Sequence, residues 1–142
     1  MNYRVFLRGV GAAALLVLAC SVVVAAEPFP FDQDFLLDAA PMRPGKRMPG
    51  LNVEPNGNAR IDLWCRTVTA RIEISDAAIK VEAGSLPENP PEMQSAGQCT
   101  PERIQADEEL FATLAQVTAW RREGENIVLE GPKPLRFYQS SH

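Results

Sequence analysis

Between Arg66 and Ser75 apolar and polar residues alternate almost without a break, and no other stretch of this chain restricts its fold so closely. Val68, Ala70, Ile72 and Ile74 fall on one face of an extended chain, and Thr67, Thr69, Arg71, Glu73 and Ser75 fall on the other. A helix would scatter both sets around its axis, whereas a strand with one wet face sorts them. The stretch therefore reads as a half-buried antiparallel strand. Asp76-Ala77 turns the chain, and Ile79, Val81 and Ala83 against Lys80 and Glu82 make a neighbouring strand. Upstream, Leu51 to Glu54 and Ile61 to Cys65 alternate as well, on either side of Asn56-Gly57, a dipeptide favoured in type I′ hairpins. Phe35-Leu36-Leu37 opens a first strand.

The other segments read differently. Residues 27–50 form a proline-containing leader, with Pro41, Pro44 and Pro49 and the basic residues Arg43, Lys46 and Arg47. Residues 84–98 hold three prolines and two glycines with few apolar residues, the composition of a long loop. Thr100-Pro101-Glu102 is a helix start: a hydroxyl cap, proline at the first helical position and an acid in the first turn. Ile104, Leu110, Phe111, Leu114 and Val117 recur at helical spacing, so a helix over about 101–119 buries one stripe and leaves Asp107-Glu108-Glu109 wet. After it, Ile127-Val128-Leu129 and Leu135-Arg136-Phe137-Tyr138 form a C-terminal hairpin, with 139–142 as a tail. The expected fold class is α+β: an antiparallel, barrel-like sheet with one long helix before that hairpin.

The first 26 residues point to export. Arg4 and Arg8 precede an apolar run from Val10 to Val24, and Val24-Ala25-Ala26 offers small residues for cleavage. The run is shorter than the roughly 18 apolar residues of a spanning helix. Within it, Val17-Leu18-Ala19-Cys20 is the alternative: a lipobox in which a lipidated Cys20 anchors the protein to a membrane without spanning it. Cleavage after Ala26 leaves one domain with twelve basic and eighteen acidic residues, a net charge of −6. That balance speaks against nucleic acid or an anionic membrane surface as partner. Of three cysteines, Cys65 and Cys99 remain, an even number for an oxidising compartment. A Cys65–Cys99 disulfide, stabilising by about 3–4 kcal/mol on the chain-entropy account, stands against two separate buried thiols.

The C-terminal half carries a family pattern. Cys99 precedes an acidic helix ending Leu110-Phe111-Ala112-Thr113-Leu114-Ala115-Gln116-Val117. A turn at Gly124 follows, then the strand Ile127-Val128-Leu129-Glu130, then Leu135-Arg136-Phe137. This resembles the META domain of HslJ-like heat-shock proteins of bacterial envelopes, over about residues 51–138. Where that family has a small residue, cysteine and asparagine upstream, this chain has Trp64-Cys65-Arg66, and the asparagine's role does not carry over. The resemblance implies a small barrel-like α+β domain, an exported location and an association with stress tolerance, and it implies no enzymatic activity.

Catalytic and metal-binding patterns are scarce. The single histidine is the last residue, His142, which removes His-based triads and most zinc sites. No G-x-S-x-G elbow, phosphate-binding loop or C-x-x-C pair occurs. No cofactor is expected. The candidate binding surface is Trp64 and Arg66 with Arg43, Lys46 and Arg47. Trp64 is either an exposed contact residue or buried beneath a covered sheet. The leading expectation is a monomeric, non-enzymatic periplasmic or secreted protein that binds an envelope protein or small ligand. One alternative is a hydrolase inhibitor presenting segment 84–98. A more distant one is a hydrolase using paired carboxylates.

Overall fold

In the computed structural model, which describes residues 18–21 and 27–141, the alternating stretches become eight strands. These are β1 (Phe35–Leu37), β2 (Gly50–Val53), β3 (Asn58–Asp62), β4 (Thr67–Ser75), β5 (Ala78–Glu82), β6 (Ala119–Glu123), β7 (Asn126–Glu130) and β8 (Leu135–Gln139). Each pairs antiparallel with the next, and β8 returns to β1 through Phe35↔Gln139, Leu36↔Tyr138 and Leu37↔Phe137. The sheet thus closes on itself as a ring. Val68, Ala70 and Ile72 of β4 are buried and the intervening residues exposed, as the alternation requires. The inward faces of the ring form one apolar core that includes Leu51, Ile61, Leu63, Ile127, Leu129 and Phe137. Each such side chain contributes on the order of 1.5–3 kcal/mol on burial.

The thinnest pairing is β5 to β6, which share the single register pair Ala78↔Ala119. The chain between these strands carries both helices, α1 (Pro91–Ser95) and α2 (Pro101–Leu114). Thr100 caps α2, its hydroxyl accepting from the Arg103 backbone N–H. Leu110 and Leu114 of α2 join the ring's core.

Several sequence expectations are corrected. The class is mostly β, an eight-strand antiparallel ring with only 16% helix, and not an α+β barrel-like domain with a long helix. The helix ends at Leu114, not near residue 119. Val117 shares the spacing of Leu110 and Leu114, but it reaches the core from the connector, and two residues later Ala119 opens β6. Segment 84–98 contains α1 and is not wholly a loop. The leader 27–50 contributes β1, which closes the ring. At Asn56-Gly57 only Gly57 takes a positive φ (90°), so the turn is not type I′. There the Gly57 carbonyl accepts from Ile72 N, and a Cβ would lie 3.0 Å from the Ile72 carbonyl oxygen, so glycine is required. Apart from the exposed Leu18, Ala19, Cys20 and Ser21, the proposed leader peptide lies outside the described residues.

Candidate functional site

At the end of the ring where β3 passes into β4, the corner residues Leu63, Trp64, Cys65 and Arg66 are all buried beneath α2. Asp107 of α2 has no exposed surface and accepts hydrogen bonds from Cys65 N (3.1 Å), Arg66 N (3.2 Å) and Arg66 Nε (3.0 Å). Arg66 spends its other donors on the carbonyls of Pro87 (3.1 Å) and Ile104 (3.3 Å). Arg103, 1% exposed, donates to the carbonyls of Trp64 (2.8 Å) and Pro44. Arg47 adds bonds to the carbonyls of Leu63 (2.9 Å) and Arg66 (3.1 Å).

This knot places two buried guanidinium groups against one buried carboxylate. The surplus positive charge is offset by carbonyl dipoles, the physical condition under which a buried cation persists. Its work is structural. It ties the β1–β2 connection, the β3–β4 corner, the segment after β5 and α2 into one plug over the ring. Most of its donors are occupied by the chain's own oxygens, and Arg103 Nε is the exception, buried without a partner.

The candidate surface read from sequence is therefore split. Trp64 (5% exposed) and Arg66 (6%) lie inside, and Arg47 is half-buried in the same network. Arg43 and Lys46 are exposed and make no ion pair among the described residues. Asp107 is not part of a wet acidic face with Glu108 and Glu109, which are exposed. The signal for this was present: Arg103, Asp107, Leu110 and Leu114 recur at spacings of four, three and four, one helical face. Ile104 and Phe111, expected in the stripe, are only half-buried, so the buried face lies to one side of the expected one. Within segment 84–98, the Pro87 carbonyl is held by Arg66.

The opposite end of β4 carries a groove of about 680 Å³. Phe29, Phe31, Ile74 and Trp120 line it, and Glu27, Arg121 and Arg122 stand at its rim. Phe29 packs edge-on against Trp120, ring centroids 5.0 Å apart, and against Phe31 at 5.2 Å. Trp120 Nε1 donates to the Asp76 carbonyl at 2.7 Å, which fixes the indole across the β4–β5 turn. The Asp32 N–H bonds to the Val53 carbonyl (2.8 Å) and anchors this N-terminal segment to the ring. Arg121 is neutralised by Glu130 (2.7 Å) and Glu123 (3.1 Å). The carboxylate that meets Arg122 is that of Glu27, 3.4 Å away and largely exposed. No periodicity could have joined Phe29 to Trp120, because ring closure alone brings them together.

Cys65 and Cys99 are both buried, and their thiols lie close enough to interact. Burial is the main cause that pushes the Cys65 thiol up to about 12, followed by the hydrogen bond to Cys99 and the charges of Cys99 and Asp107. Arg103 pulls it the other way. Cys20 is exposed.

No family model, curated protein or solved structure matches this chain.

Proposed function

We propose that this protein is an exported, monomeric, non-enzymatic binding protein of the META/HslJ-like kind with a role in envelope stress tolerance, cleaved after Ala26 and released into the periplasm. We propose further that it holds a small molecule with an apolar body and an acidic head in the groove beside Trp120. The observation that carries this reading is the groove itself: an aromatic lining, a volume of about 680 Å³ within the range of ligand sites, and at the rim Arg122, held by the exposed Glu27 and the Gly124 carbonyl. Apolar walls supply most of the affinity, while Arg122 selects the head group, with Glu27 as the counter-ion that gives way. The leader peptide supports export, and the acidic surface of the mature chain favours a soluble protein over one bound to anionic lipid.

The test is a titration of the mature protein with dodecanoate, dodecanol and dodecylamine, read by tryptophan fluorescence and calorimetry. One-site saturable binding of dodecanoate is expected. Dodecanol should bind more weakly and dodecylamine more weakly still. The fluorescence change should vanish in Trp120→Phe and persist in Trp64→Phe. Equal binding of all three, or binding unaffected by Arg122→Gln, refutes the assignment.

A further inference from the structure

Segment 84–98 is held to the domain by few contacts. None of its side chains is fully buried, Leu86 alone packs half-buried against the core, and α1 within it buries nothing. Two attachments tie it to the β3–β4 corner: the Pro87 carbonyl on Arg66, and the Cys99 thiol, next in the chain, on Cys65. Between this strap and the corner lies a cleft of about 360 Å³, lined by Arg47, Arg66, Pro87, Met93 and Cys65 itself. Apart from Leu86, half-buried against the core, the segment gains little from packing, so its closure depends largely on its specific ties.

We propose that Cys65 and Cys99 form a reversible disulfide latch that fastens the 84–98 strap over the β3–β4 corner in the exported protein and releases it on reduction. Cys65 sits at the corner and Cys99 at the C-terminal end of the strap, and their thiols lie close enough to interact, so the bond joins groups the fold already brings together. In forming it, Cys65–SH and Cys99–SH give up two hydrogens and become Cys65–S–S–Cys99. Those two protons and two electrons pass to the disulfide of a thiol oxidant, which leaves as two thiols. A dithiol reductant reverses the exchange. Two features set the timing. Cys65 is only 2% exposed, and in the closed fold its thiol is held protonated, while the thiolate is the form that exchanges. Oxidation therefore belongs to the folding chain, before α2 docks, and the closed protein exchanges slowly in either direction. Once formed, the bond also shields the knot: the strap it fastens supplies the Pro87 oxygen to Arg66, whose guanidinium neutralises Asp107.

The proposal uses the export reading for its oxidising compartment, and one measurement separates the two. Mature protein is recovered from the periplasmic fraction, its free thiols are trapped with an alkylating reagent, and its intact mass is taken with and without reductant. A chain starting at Glu27 supports export whatever the state of the cysteines. A mass two hydrogens below the dithiol form, with no alkylation, establishes the bond, and two alkylated thiols overturn it. Hydrogen exchange is then compared between the oxidised protein, the reduced protein and Cys65→Ser/Cys99→Ser. Exchange in residues 84–98 should rise by roughly tenfold or more on reduction, while β3, β4 and β7 stay protected. Equal exchange of 84–98 in oxidised and reduced wild-type protein overturns the latch even if the bond is present. The reduced wild-type chain serves as the open form if the double variant does not fold.

Discussion

Replacing Asp107 with alanine removes the carboxylate on which the plug over the ring converges. Asp107 accepts from two backbone N–H groups, Cys65 and Arg66, and from the Arg66 side chain, all with no surface exposed. Breaking a buried ion pair from one side costs about 3–5 kcal/mol, because the surviving charge is left without compensation. The two stranded N–H groups would add roughly 1–3 kcal/mol each if dry, but water entering the vacated space offsets part of this. A net loss of about 4 kcal/mol is expected, a large share of the roughly 5–15 kcal/mol that holds a domain together. With a urea slope of about 1–3 kcal/mol/M, the midpoint should fall by roughly 1.3–4 M. The assay is urea unfolding followed by tryptophan fluorescence, with Trp64 beside the substituted site as reporter. Glu108→Ala, one residue on and exposed, should stay within about 0.5 kcal/mol of the parent. Arg66→Met/Asp107→Leu removes both charges together and should be less damaging than Asp107→Ala alone. A loss under about 1 kcal/mol in Asp107→Ala, or one matching Glu108→Ala, would refute the claim that this carboxylate is closed off from water.

In the reduced protein, the Cys65 thiol titrates at about 12 in place of its ordinary 9.0, so its contribution to stability is whole below about 9 and lost as pH climbs toward 12. Unfolding free energy measured near pH 8 and near pH 11 under reductant should therefore fall more for the wild type than for Cys65→Ser, and equal falls would count against burial as the main cause. Phe29→Ala deletes a ring that is 5% exposed and in contact with Trp120, and should cost about 3 kcal/mol in urea unfolding, against well under 1 for an exposed N-terminal residue. Gly57→Ala places a Cβ 3.0 Å from the Ile72 carbonyl oxygen at a φ of +90°, and a loss of about 1–3 kcal/mol is expected in the same assay. Glu27→Gln frees Arg122 from its counter-ion, and calorimetry should show tighter dodecanoate binding, with no gain for dodecanol.

The local patterns of the chain were enough to place β4 and β5 and the capped start of α2 at Thr100, since alternation, capping and turn chemistry are set by neighbours along the chain. Sequence also carried the pattern that would have turned α2 correctly, Arg103 and Asp107 in line with Leu110 and Leu114. A charged pair on a helix is ordinarily solvated, which argues for the opposite orientation. Ring closure through β1 and β8, the groove between Phe29 and Trp120, and the burial of Trp64 and Arg66 belong to tertiary structure alone. In each of these, residues distant in the chain meet only after the whole sheet has closed. Asp107 is the sharpest instance. Its carboxylate is buried because the β3–β4 corner supplies two amides and a guanidinium at the point where α2 crosses the ring. A burial decided by partners some forty residues away leaves no period for the sequence to display.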